Sequence, residues 1–170
     1  PADKHAKVRE FLASNRARMD EADASFTLDA DVVARLASLE RTVHVIGIAE
    51  DWCPDVVRHV PVFQKLADAS DRIQARYVMR ADHLDVFAQH LTAGGEEVPK
   101  LVFLNEDLVE CWSWGRMRAA CREVIELGRA CGDLKTAREK VSALYEADSE
   151  RKIVIEELLH CIEIAACVSP

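Results

Sequence analysis

Cys53 carries the strongest chemical potential in this chain. It stands in Trp52-Cys53-Pro54-Asp55-Val56, two acidic residues after an apolar run and directly before a helix-like segment. The nucleophilic form of cysteine is the thiolate. A helix start offers it unpaired N–H groups and the positive end of the helix dipole, worth about 0.3–1 kcal/mol to an anion. Glu50, Asp51 and Asp55 work the other way, because neighbouring carboxylates disfavour a second negative charge. A single thiol so placed can attack a disulfide and form a mixed disulfide, which an outside thiol then releases. Trp52, beside it in a loop, is suited to form an apolar rim for a peptide or a small thiol.

The other reactive side chains fit plainer roles. Cys111, Cys121, Cys131, Cys161 and Cys167 stand mostly among apolar residues and are expected to be free, buried and inert. A metal is not expected. There is no Cys-x-x-Cys and no His-x3-His pair. Cys121 and Cys131 point in different directions on a helix, and the adjacent His160 and Cys161 cannot share a face. His59 follows Cys53 by six residues and is out of helical phase with it, so it and His44 are read as structural or surface residues. Trp112 and Trp114 share one strand face and are expected to pack. No cofactor is implied.

The elements that must hold Cys53 are legible as changes of period. Residues 4–19 read as an amphipathic helix with Val8, Phe11, Leu12 and Met19 on one face, followed by a polar connection. A second helix is predicted over 29–40. Residues 42–49 form a short, β-branched and nearly continuous apolar run, the pattern of a central strand covered on both faces. Pro54 suits the first turn of the helix that follows, and Pro61 should kink it. A strand at 73–79 and a helix at 82–91 come next. Val98-Pro99 precedes a strand at 100–104, which pairs with 108–114 as an antiparallel hairpin. A helix over 117–130 precedes a tail predicted to be helical from 133 to 168, broken near Asp148-Ser149.

Composition narrows the function. With 170 residues, the chain is the size of one domain and needs no disulfide to build a core. A net charge of −8 disfavours phosphate backbones and anionic membranes, so neither a nucleic-acid nor a membrane partner is expected. No apolar run approaches the length of a membrane span, and the charged N-terminus lacks a signal-peptide core. These features imply a cytoplasmic protein.

Four landmarks on this pattern resemble the thioredoxin family. A central strand runs into Trp52-Cys53-Pro54-Asp55-Val56. Pro61 follows Cys53 by eight positions, as the active-site helix proline of thioredoxins does. Val98-Pro99 stands where the family has its cis-proline, and Gly115 closes the hairpin sixteen positions after Pro99. The resemblance is to bacterial thioredoxin-like proteins with helical additions. It implies an α/β thioredoxin-like fold, a central mixed sheet flanked by helices, with extensions at both ends of a single domain (1–170). The boundaries are an N-terminal helical extension at 1–28, a core at 29–131 and a C-terminal helical extension at 132–170. It also implies that Cys53 is the catalytic residue and that Trp52, Pro54, Asp55, Val98 and Pro99 line the substrate groove.

Two departures shape the expected activity. The family motif is Cys-x-x-Cys, and here Val56 replaces the second cysteine. The family's buried acid would fall near Gly47, where there is none. Both losses point away from a dithiol reductase. What is left is either a monothiol thiol-disulfide oxidoreductase with protein or small-molecule thiols and disulfides as partners, or a non-catalytic binding module using the Cys53/Pro99 groove for a peptide or small ligand. The tail adds one more expectation. Ile153, Val154, Ile155, Leu158, Leu159, Ile162, Ile164 and Val168 surround more than one helix face. The extra face packs deeply within the chain or, most simply, meets a second copy in a homodimer.

Overall fold

The computed structural model describes residues 2–92 and 94–167, with side chains from Glu10 onward. Among the described residues, seven α-helices and four strands follow in the order α1 (Ala2–Ala24), α2 (Ala30–Ala37), β1 (Val43–Ala49), α3 (Pro54–Asp68), β2 (Ile73–Met79), α4 (Leu84–Phe87), β3 (Lys100–Leu104), β4 (Glu110–Gly115), α5 (Ala119–Cys131), α6 (Leu134–Ala147) and α7 (Lys152–Cys167). The strands form one mixed sheet in the order β2-β1-β3-β4. β1 pairs in parallel with β2, from Val43 opposite Ile73 to Ala49 opposite Met79. β3 lies antiparallel to both β1 and β4. This is the mixed sheet flanked by helices that the family landmarks imply.

β1 is central because it can be covered on both sides. Val43, Val45 and Ile48 are buried, and so are Val62, Phe63 and Leu66 of α3. Phe63 meets Phe103 of β3 edge-on at 5.9 Å. α3 continues through Pro61, where the sequence predicts a kink.

The C-terminal helices divide between two cores. α7 belongs to the main core: Val154, Ile155, Leu158, Leu159, Cys161 and Ile162 are buried in the same cluster as α2, α3 and the sheet. α5 instead packs with α6 around Cys121, Ile125, Ala137 and Val141, a separate small core. The breadth of the apolar face on α7 is therefore explained by burial within the chain, and it gives no reason to expect a homodimer. Val168 lies outside the described residues, as does the side chain of Val8.

α1 is longer than the predicted 4–19, and Phe11 is exposed. The face turned toward the domain carries Asn15, Met19 and Ala22, at helical spacing. The predicted helix at 82–91 shrinks to one turn of α4 after a short 3-10 turn at Arg80–Asp82. β4 starts at Glu110, not at Leu108. The Asn105 side chain accepts from the Asp107 and Val109 N–H groups and holds Leu108 at φ 63°, so the loop is longer than periodicity suggests. The two tryptophans of β4 part company. Trp114 is 4% exposed and donates to Glu157 of α7 at 2.8 Å, whereas Trp112 is 50% exposed. β4 is an edge strand, and Trp112 has no covering helix as Trp114 does.

Candidate functional site at the start of α3

The end of β1 delivers the chain into a tight turn, and Cys53 is the residue that caps α3. Its N–H bonds to the Glu50 carbonyl at 3.1 Å. Pro54 opens the helix, where a missing N–H costs nothing. Asn15 of α1, itself buried, donates its side-chain amide to the Asp51 carbonyl at 2.9 Å. The N-terminal helix therefore braces the turn that leads into Cys53. Trp52 projects beside it, 48% exposed.

The Val98–Pro99 peptide bond is cis. The Cys53 thiol donates to the Val98 carbonyl oxygen at 3.2 Å. Gly115 is needed here for space, because a Cβ on it would stand 2.8 Å from the Pro99 carbonyl oxygen. The tertiary structure thus brings the segment Cys53-Pro54-Asp55 and the segment Val98-Pro99, more than forty residues apart in sequence, into one corner.

Cys53 is 8% exposed. Burial pushes its thiol up from the ordinary value, since the thiolate loses solvation. The backbone N–H groups of Val56 and Asp55 pull it down, as a helix start should. The Asp55 charge pushes it up again and the Arg116 guanidinium opposes that. Burial wins, so the resting group is a thiol. Burial likewise raises the Asp55 carboxyl, against the pull of Arg116.

Arg116 is a charged neighbour of this corner that motif reading missed. It lies 3.6 Å from the Asp55 carboxylate and 3.1 Å from that of Glu97, which also meets Arg129 at 3.1 Å. Its position beside Gly115, a residue already matched to the proline loop, is the one sequence signal that could have placed it. Glu50 was expected to act on the thiol as a charge. It is buried and turns its carboxylate to the Ala81 N–H at 2.9 Å, so it ties the 3-10 turn to the site. At Gly47, where the family acid would stand, the Tyr77 ring closes the space: a Cβ there would be 2.5 Å from Tyr77 Cδ1.

All six cysteines are free. The expectation that every cysteine other than Cys53 is buried fails. Cys121 and Cys161 are buried, Cys111 is half-buried, and Cys131 and Cys167 are exposed near the ends of their helices. Among the described residues, no group of three or more His, Cys, Asp or Glu could hold a metal ion, and no helix is long and apolar enough to cross a membrane.

The chain matches the family model described as Thioredoxin over residues 3–146. It is similar in fold to a protein of unknown function from Pseudomonas aeruginosa, with a TM-score of 0.66 at 17% identity, covering 91% of this chain and 90% of the other. It is similar to an HIV epitope-scaffold to the same degree, with a TM-score of 0.67 at 17% identity and the same coverage. Among curated proteins, none matches.

Proposed function

The chain belongs to the thioredoxin family, and from that premise we propose that it exchanges disulfides through Cys53 as a single thiol. The observation that supports this most is the meeting of Cys53 with the carbonyl of Val98 beside cis-Pro99, with Val56 where a resolving thiol would be. In this reading Cys53 loses its proton to solvent and its thiolate attacks one sulfur of a substrate disulfide. The old S–S bond breaks, the leaving thiolate takes up a proton, and Cys53 holds the other half as a mixed disulfide. A small-molecule thiol then attacks that bond and frees Cys53. No net oxidation occurs, and no second cysteine of the chain takes part. Trp52 and Pro99 would flank the substrate backbone, and Arg116 would favour the thiolate as the S–H···O bond opens.

The test uses the reduced protein with Cys131 and Cys167 changed to serine, treated with a small symmetrical disulfide such as oxidised glutathione. A single adduct on Cys53, removed by excess thiol and absent in Cys53→Ser, is the expected result. No adduct on Cys53 at any pH up to 9 would overturn the reading.

A second reading draws on the burial of Cys53 and its raised thiol pKa. Here the corner is a binding groove for a peptide or small ligand and the thiol only packs. Retention of ligand binding in Cys53→Ser, with no adduct in the wild type, would select this reading.

A further inference from the structure

A cavity with a volume of about 360 Å³ lies beside the start of α3, lined by residues of α1, α3 and the α6–α7 junction. Its walls include Arg18 of α1, Arg58 of α3 and Arg151 of the junction, together with His59 and Tyr145. From this juxtaposition we propose that the cavity is a binding site for a phosphate-class oxyanion, with Arg18, Arg58 and Arg151 supplying the charge and His59 a hydrogen bond.

Charge bookkeeping points this way. The chain has 30 acidic residues against 22 basic ones, so carboxylate partners are plentiful. Among the described residues, none of these three arginines has a carboxylate within ion-pair distance. Arg58 lies over the Tyr145 ring at 4.1 Å, and Arg151 donates to the Arg58 carbonyl at 3.0 Å. Asp148, the nearest acid of the junction, is held by Arg118 at 3.0 Å. Glu21 and Asp148 both line the cavity; Asp148 is paired with Arg118, and Glu21 is the carboxylate left to repel an anion there. Guanidinium forks match phosphate oxygens in geometry as well as in charge.

Two buried polar atoms are left open. His59 is 1% exposed, and its Nε2 meets the Tyr145 hydroxyl at 3.0 Å, but its Nδ1 has no partner. Arg151 Nε is also buried without one. A buried polar atom without a partner is destabilising, so each of these atoms favours an occupant that can bond to it. If the Tyr145 hydroxyl donates to Nε2, the His59 proton resides on Nδ1 and is available to an oxyanion. Arg151 itself is held at φ 60°, a left-handed conformation that a non-glycine residue rarely adopts. This inference does not rest on the chemistry of Cys53.

Titration of the full chain with inorganic phosphate tests it, against chloride and acetate at matched ionic strength, followed by the His59 ring nitrogen resonances. Phosphate should move the Nδ1 signal saturably, with acetate at least tenfold weaker and chloride inert. Arg18→Gln combined with Arg58→Gln, both on exposed positions, should weaken phosphate at least tenfold. Glu21→Gln should tighten it, a gain that a purely structural arginine cluster would not produce. Cys53→Ser should bind as the wild type does. The same response to phosphate and chloride, acetate binding as tightly as phosphate, or undiminished binding in the double variant would each overturn the proposal.

Discussion

The Cys53 thiol and the Val98 carbonyl oxygen are joined by a hydrogen bond of 3.2 Å across the corner between α3 and the cis-proline loop. The bond satisfies the S–H in a site where Cys53 is nearly closed to solvent. Any reagent or substrate that reaches this sulfur must displace Val98 as its partner and wait for deprotonation. The reactivity of Cys53 is therefore set by burial and by its neighbours more than by the helix dipole.

Alkylation should expose that order. With limited iodoacetamide at pH 7, the exposed Cys131 and Cys167 should label before Cys53. The rate at Cys53 should keep rising with pH beyond the range of an ordinary thiol, because its folded pKa is raised. Asp55→Asn removes a like charge and should shift that profile down, whereas Arg116→Gln should shift it up. Peptide mapping that finds Cys53 labelled first at pH 7 would contradict this account.

Val56→Cys should convert the site. Val56 lies one helical turn after Cys53, where a second thiol can reach a mixed disulfide. The wild type should show no dithiol-type reduction of insulin disulfides, and the variant should show measurable turnover with a dithiol reductant. Equal activity in the two proteins would mean that a different thiol resolves.

His59 should tie stability to acid pH. Burial, reinforced by Arg58, Arg151 and Arg118, pushes its pKa down to about 3. Unfolded histidine titrates near ~6.5. Between those values the unfolded state binds a proton that the folded state refuses. The contribution of His59 is thus complete above that unfolded value and is lost as pH falls toward 3, at up to about 1.4 kcal/mol per pH unit. Urea unfolding at pH 7 and pH 5 should show the loss, and His59→Gln should flatten it. An unchanged slope in the variant would refute the assignment.

Substitutions on α7 should unfold the domain and leave no dimer to weaken. Ile162 and Leu158 have no exposed surface. Leu158→Ala should cost about 2–5 kcal/mol by opening a cavity, and Ile162→Glu, which buries a charge, should cost more. Sedimentation equilibrium of the wild type should give a monomer. Folded but dissociated variants of a wild-type dimer would restore the homodimer expectation.

By itself the sequence determined the order of elements and the identity of the corner. β1, α3 and the 100–104 strand announce themselves through local period, and Cys53, Pro61, Pro99 and Gly115 mark fixed points along it. These signals are local, so one chain carries them openly. Only the tertiary structure decided that α7, and not α5, shares the sheet's core, because two apolar helices look alike until one of them is seen against β4. It also decided the state of Cys53. Burial, the Val98 carbonyl and Arg116 all arrive from segments distant in sequence, and the free energy of a thiolate depends on those distances.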